Sequence, residues 1–387
     1  MKSSQKHILF VTNPSRHAYG GEMSLLPVIP RLGSTWKPYC LVEAPGPLDT
    51  LLRKQGFAVD RIQLEIGGAR PWRIRRILSL ARLVNLLYKR RIDLVHVNLH
   101  FLAPFVSAAC AAAGIPIVVH VRNMITRPVA SSFRKYDGVI CISQAVRDSL
   151  GTYGQVPPGE LADRLWTIPD GRDLSHFCRG NRERVRQELG VGPETPLVGM
   201  AARITSMKGQ DTFLQMAALV KNQIPAARFL LVGATLYQAD ESYHSDLQKL
   251  VRDLGLEKDV IWAGYREDMP DVLAAMDCFA HPSRRGAFVS VLIESMASGL
   301  PVVASDVDGI PECVGRDGAG ILLPPEDPAA WADAVVRILT DRSVSSSLSE
   351  RARERACRLF EIAPLAQQTA EVLETVYQRN RSAGGKP

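Results

Sequence analysis

The sequence predicts an α/β protein built as two doubly wound domains. Short apolar runs of strand length alternate with helix-length amphipathic segments, and they do so twice along 387 residues. A polar, turn-rich stretch at 172–195 separates the two alternations. No repeated sequence relates the halves, so they share a pattern rather than residues. The length suits two or three domains and a sizeable core.

Composition narrows the function classes. Apolar content of 46% and charged content of 22% are ordinary for a soluble enzyme. The net charge of +7 is uneven: residues 1–175 hold 23 Lys/Arg against 12 Asp/Glu, and residues 176–387 hold 24 against 28. A basic half implies an acidic partner, such as an anionic membrane face, a phosphate-bearing substrate or nucleic acid. Basic and aromatic residues do not interleave as in single-strand binders, so nucleic acid is not expected. The seven cysteines are scattered without a C-x-x-C, which favours reduced thiols over a disulfide framework or a zinc site. Phe101 to Val119 carries no charge, but Pro104, Gly114 and Pro116 divide it into helix, turn and strand rather than a membrane span. Ile8 to Val11 is too short for a signal segment, so a cytoplasmic protein is expected, peripheral at most at the inner face of the membrane.

In chain order, residues 7–12 read as a first buried strand. Gly20-Gly21 then precedes a helix, where backbone can approach a ligand closely; a plain strand–helix turn accounts for the same residues. A strand at 39–43 and a helix at 48–55 follow. Pro71 to Arg91 is a basic amphipathic helix. Its apolar face is Ile74, Ile77, Leu78, Ala81, Val84, Leu87 and Tyr88, with Arg73, Arg75, Arg76, Arg82, Lys89 and Arg90 mostly elsewhere. Such a helix packs on a sheet with a solvated basic rim, meets anionic lipid headgroups, or does both. Strands at 93–97 and 115–121 flank a helix at 103–113. His120 falls at the C-terminal end of the second strand, where open α/β sheets place ligands; it is a satisfied structural histidine or a catalytic one. A strand within 136–143 leads to a helix capped by Ser143.

The second alternation has strands at 197–201, 228–232 and 260–263 and helices at 210–222, 243–254 and 268–276. Between its first strand and helix, Arg203 and Lys208 stand five apart on one loop. Both can point at one anion, Arg as a fork and Lys as a point charge. Further on, a small-residue loop from Ser283 runs into a helix at about 289–298. Gly299 and Pro301 stop it, a buried strand follows, and Asp308 to Glu312 turn into another helix. The unpaired N–H groups of that loop–helix junction suit a diphosphate, and Glu294, one turn in, could accept hydrogen bonds from sugar hydroxyls. On pattern alone an ordinary crossover with a solvated Glu explains the same residues. Helices at 331–339, 344–359 and 365–377 complete the chain.

Taken together, the Gly20-Gly21 turn, the Arg203/Lys208 loop, Ile168 to Gly171, Ser283 to Glu294 and Gly309 to Glu312 resemble the retaining glycosyltransferases of family 4, over nearly the whole chain. The resemblance implies the GT-B fold: two Rossmann-like domains facing a cleft, with a C-terminal helix crossing back to the first. The implied domains are 1–172 on the acceptor side, a linker at 173–195, a donor domain at 196–358, the crossover helix at 359–380 and a tail at 381–387. It implies that Arg203 and Lys208 hold the donor diphosphate and stabilise it as it leaves, with Ala202 replacing a usual Gly. Glu294 is assigned to the ribose hydroxyls. Gly20 and Gly21 approach the diphosphate from the other domain, and His120 reaches the sugar near the reacting carbon. Phe288, Val289, Ser290 and Val291 complete the donor loop, with Val289 replacing a Gly. Tyr265 and Arg266 fall in the neighbourhood of base and ribose. The first acid of the family's E-x7-E motif falls on Gly286, which has no side chain. Asp306-Val307-Asp308 spells a D-x-D and is taken as coincidental.

The expected function is metal-independent, retaining transfer from a nucleotide-diphospho sugar, with no further cofactor, to a lipid-linked or polysaccharide acceptor. Peripheral contact with an anionic membrane runs through the helix Pro71 to Arg91. A nucleotide-sugar epimerase on the same fold and a catalytically impaired nucleotide-binding relative remain open alternatives at this point.

Overall fold

The computed structural model describes residues 5–12, 20–64, 72–128, 133–154, 156, 159–236, 240–382 and 384. Residues 13–19, Pro71 and most of the expected tail lie outside them, as do the side chains of Trp72 and Arg73. The chain divides into two units, Met1–Gly171 with Ile362–Pro387, and Arg172–Glu361.

The first unit is a parallel sheet of β1 (Lys6–Val11), β2 (Trp36–Val42), β3 (Ala58–Arg61), β4 (Leu94–Val97), β5 (Ile117–Val121), β6 (Gly138–Cys141) and β7 (Leu165–Thr167), in the order β3-β2-β1-β4-β5-β6-β7. Its central strands are buried on both faces, which is why they read as continuous apolar runs rather than alternating ones. Helices α1 (Gly20–Leu25), α2 (Pro47–Lys54), α3 (Trp72–Lys89), α4 (Ala103–Ala113) and α5 (Gln144–Thr152) connect them. Ser143 caps α5, its hydroxyl accepting from Val146 N–H at 3.2 Å.

The second unit repeats the design with β8 (Leu197–Ala201), β9 (Arg228–Val232), β10 (Val260–Gly264), β11 (Cys278–His281), β12 (Val302–Ser305) and β13 (Ile321–Leu323), in the order β10-β9-β8-β11-β12-β13. Its helices are α6 (Arg182–Glu188), α7 (Gln210–Gln223), α8 (Glu241–Asp253), α9 (Met269–Ala275), α10 (Ser290–Ala297), α11 (Ile310–Val314), α12 (Pro328–Thr340) and α13 (Arg342–Phe360). Residues 173–195, read from sequence as a linker, are built into this unit: Leu174, Val185 and Val191 are buried in its core beside Leu273 and Met276. The last helix, α14 (Ile362–Ser382), belongs to the first unit. Its Leu365, Val372, Leu373 and Val376 share a core with Ile8, Phe10 and Trp36, and Glu374 accepts from Lys6 Nζ at 2.6 Å.

Only part of the apolar face expected on α3 is buried, namely Leu87 and, by half, Val84. Ser79, Leu83, Leu86 and Leu87 are buried, whereas Ile74, Ile77 and Leu78 are 64%, 66% and 51% exposed, and Ala81 and Tyr88 are exposed as well. The helix carries apolar residues on more than one side, so periodicity alone could not choose the side that meets the sheet.

In each sheet the strand order reverses next to the first strand of its unit, between β1 and β4 and between β8 and β11. Such switch points open a crevice at the carboxyl ends of the strands. Arg203 follows β8, Ser283 follows β11, and Asn98 follows β4, while His120 is the penultimate residue of the neighbouring β5.

Candidate active site

On the second unit, the loop after β8 and the loop after β11 are locked together. Gly209 closes the first loop with φ +72°, and a Cβ there would lie 2.0 Å from the Pro282 carbonyl oxygen, so only glycine allows this approach. Arg284 N–H donates to Met207 O at 2.9 Å, and Ser283 Oγ donates to the same oxygen at 3.1 Å. Gln210 Nε2 donates to Arg203 O at 2.9 Å and holds the loop from behind. The two predicted cations are thereby brought together. Burial and the neighbouring Arg203 charge lower the Lys208 pKa to about 8. His281, wholly buried behind this loop with neither ring nitrogen partnered among the described residues, is pushed down to about 3 by burial and by Lys208. Two cations thus stand beside a neutral histidine, and among the described residues no carboxylate pairs with Lys208.

The loop after β11 delivers α10. Val289 precedes the helix in extended conformation, and no side chain caps its first turn. The N–H groups of Ser290 and Val291 are therefore of the kind a helix start leaves without an intrahelical partner. Glu294 is one turn in, and Arg172 donates through Nε to its Oε1 at 3.1 Å and through Nη2 to Ser290 Oγ at 2.7 Å. Phe288 packs edge-on against Phe360, with ring centroids 5.7 Å apart, and supports the loop. Tyr265 is 69% exposed at the end of β10. Arg266 is committed to Glu188 and Asp268, accepted by Asp268 Oδ1 at 2.8 Å, and these carboxylates raise its pKa. The D-x-D residues serve separate arginines: Asp306 pairs with Arg316, and Asp308 with Arg285.

On the first unit, His120 is buried at the end of β5, edge-on to His96 with centroids 5.6 Å apart. Arg122 Nη2 lies 3.3 Å from His120 Nδ1, while Nε2 has no partner among the described residues. A guanidinium only donates, so Nδ1 is the acceptor and Nε2 carries the hydrogen. Burial, Arg122 and His96 hold the ring well below the usual histidine range, so it is a neutral donor. Arg122 itself is fixed by a buried ion pair with Asp170 and donates through Nε to Asn98 Oδ1 at 2.9 Å. Asn98 Nδ2 in turn donates to Gly21 O at 3.1 Å. A Cβ on Gly21 would sit 3.2 Å from Arg122 Cδ, whereas Gly20 faces open space. Both glycines form the first turn of α1 rather than a loop before it. Ser24, His96, His120, Arg122 and Asp170 line one small cavity.

Sequence reading missed Arg122, Asp170, Asn98 and Arg172. Arg122 and Asp170 are charged residues directly after strand-like apolar runs. That signal was available, but their pairing spans 48 positions.

Residues 39–176 match the family model described as Glycosyltransferase Family 4, and residues 181–355 that described as Glycosyl transferases group 1. The D-inositol 3-phosphate glycosyltransferase of Nocardia farcinica is 33% identical over 257 residues, which is 65% of this chain and 54% of that protein. That of Saccharomonospora viridis is 33% identical over 202 residues, 51% of this chain and 47% of the relative. The chain thus spans about half the length of the curated relatives it matches. Among solved structures, Anabaena Alr3699/HepE in complex with UDP and glucose is 25% identical with a TM-score of 0.81, over 95% of this chain and 99% of that one. A glycosyltransferase from Rickettsia africae, 18% identical with a TM-score of 0.82 over 96% of this chain and 99% of its own, shares the fold. With both units matched by family models and the whole architecture by these structures, the chain belongs to the family 4 glycosyltransferases and has the GT-B fold.

Proposed function

We propose that the protein transfers a glycosyl group from a nucleotide-diphospho sugar to an acceptor hydroxyl, with retention at the anomeric carbon and without a metal step. The observation that carries this reading is the Arg203/Lys208 loop locked onto the loop that opens α10. In this reading the diphosphate is held by the two cations and by the first N–H groups of α10, whose loops are bonded to one another. As the bond from the anomeric carbon to the diphosphate oxygen breaks, negative charge grows on that oxygen. Fixed cations and amides stabilise it without reorganising. The acceptor oxygen forms the new bond, and its proton passes to the departing diphosphate. His120, neutral with its hydrogen on Nε2, is suited to donate to a sugar hydroxyl. Glu294 accepts from the ribose. Since the Anabaena relative was solved with UDP and with UDP-glucose, a uridine donor is the first candidate.

The acceptor is proposed to be lipid-linked and reached at an anionic membrane surface. The support is α3, where exposed Ile74, Ile77 and Leu78 stand among exposed Arg75, Arg76 and Arg82. Among the described residues no helix is long and apolar enough to cross a membrane, so contact through this helix would be superficial.

The test is calorimetric titration with UDP, GDP and ADP and their glucose conjugates, followed by product analysis with a lipid extract. Arg203→Ala and Lys208→Ala are expected to weaken binding of the preferred diphosphate at least about tenfold each. Unchanged affinity in both would refute the donor site. Donor converted to an epimer without any acceptor would refute transfer.

A further inference from the structure

We propose that Asp308 supplies the carboxylate that reads the hydroxyls of the donor sugar. This deepens the preceding reading and rests on it.

Asp308 lies in the turn between β12 and α11 with φ +48°, a conformation that side-chain-bearing residues seldom adopt and that Asp and Asn tolerate best. Its carboxylate Oδ2 accepts from Gly286 N–H at 3.0 Å and from Arg285 Nε at 2.8 Å. Gly309 N–H donates to Gly286 O at 2.9 Å. Three hydrogen bonds therefore hold this turn against residues 285–286, which end four positions before Ser290, the first residue of α10.

Position 286 cannot supply a carboxylate of its own. It has no side chain, and a Cβ there would lie 3.0 Å from Ile310 Cδ1, Ile310 Cγ1 and Val289 Cγ2. The acid at this place in the loop comes instead from position 308. Both its described bonds fall on Oδ2, and Oδ1 has no partner among the described residues. A carboxylate has about four acceptor positions, so two or more remain for a ligand. The other acids near these loops are engaged through both oxygens or by a buried-side arginine: Asp211 by Arg284 and Tyr243, Glu294 by Arg172. Asp308 is only 15% exposed at its side chain while its partner Arg285 is 48% exposed. The carboxylate is thus held in a set position while the arginine can yield. An acceptor set in this way discriminates sugars that present a hydroxyl pair to it from epimers or deoxy sugars that do not.

The experiment compares the wild type with Asp308→Asn and Asp308→Gly. The glycine variant relieves the positive φ, and melting temperatures verify that both variants fold. Titrations use whichever of UDP, GDP or ADP binds best, and its glucose and galactose conjugates. The diphosphate alone is expected to bind both variants within about twofold of the wild type. The preferred conjugate is expected to weaken at least about tenfold, and the preference between the two sugars to narrow. Equal weakening of the diphosphate and its conjugate would make Asp308 a structural brace and overturn the assignment. So would conjugate affinity and sugar preference that both variants leave unchanged. A wild type that binds no nucleotide in either form would overturn the donor reading together with this one.

Discussion

Arg172 holds Glu294 through Nε at 3.1 Å and reaches Ser290 on the preceding turn of the same helix at 2.7 Å. The Arg172 backbone is itself fixed, its N–H donating to Phe360 O at 2.9 Å. The carboxylate assigned to ribose is therefore already oriented before any ligand arrives. Arg172→Ala is expected to raise the donor KM about tenfold with a smaller change in kcat, since the lost interaction orients rather than reacts. It should also reduce discrimination between ribose and 2′-deoxyribose diphosphates, as should Glu294→Gln. Paired titrations with UDP and dUDP measure this; discrimination unaltered in both variants would remove Glu294 from the ribose.

Donor binding is expected to depend on pH through Lys208. Its pKa in the folded protein is lowered to about 8, below that of an unfolded-chain lysine. A bound diphosphate favours the charged form, so above about pH 8 binding takes up a proton and affinity should fall by up to about tenfold per pH unit. Lys208→Arg should flatten this dependence. The same shift acts on stability. From about pH 8 up to the unfolded pKa, the unfolded chain holds a proton that the folded one lacks, so stability rises with pH across that window. Lys208→Met should accordingly raise stability at pH 7 by about 1–2 kcal/mol for this half-buried group, while abolishing transfer. Denaturant melts at pH 7 and pH 10.5 test it, the gain shrinking at the higher pH.

The buried Arg122–Asp170 pair separates fold from function. Arg122→Ala leaves the Asp170 carboxylate buried alone and should destabilise the protein by about 3–5 kcal/mol. The double variant Arg122→Met/Asp170→Leu should recover most of that loss. It should not recover transfer, because His120 Nδ1 has lost the donor that fixes its tautomer. Urea midpoints and rates measured on the same three proteins decide between the two roles. Since His120 is held well below the usual histidine range, wild-type activity should show no inflection from it within that usual range.

The exposed edge of α3 gives a direct membrane prediction. Ile74→Ser/Ile77→Ser/Leu78→Ser should reduce sedimentation with phosphatidylglycerol vesicles at least about fivefold and leave soluble donor affinity unchanged. Charge reversal at Arg75 and Arg76 should weaken sedimentation further at low salt than at high salt. Equal sedimentation with purely zwitterionic vesicles would remove the electrostatic part of the proposal.

Local pattern was enough for most elements. The strands at 197–201 and 228–232 are found at those boundaries, and Ser143 caps α5 as its residue type suggests. Short strands such as β3, β11 and β13 were not recognised, because three or four residues do not establish a period. The segment 173–195 reads as a linker since most of it is polar, yet single residues such as Val185 anchor it to a core contributed by distant elements.

By itself, the sequence determined two alternating halves, the cations at 203 and 208, the junction before Glu294, and the absence of a side chain at 286. Each depends on residues within a few positions of one another, so local spacing expresses it. Tertiary structure decided which side of α3 is buried, that Arg172 grips Glu294 across 122 positions, and that Arg122 sets the His120 tautomer from a salt bridge 48 positions away. It also set the Asp308 carboxylate against the Gly286 N–H, 22 positions upstream. These are pairings across a folded surface, where hydrogen-bond geometry and desolvation rather than chain order select the partner.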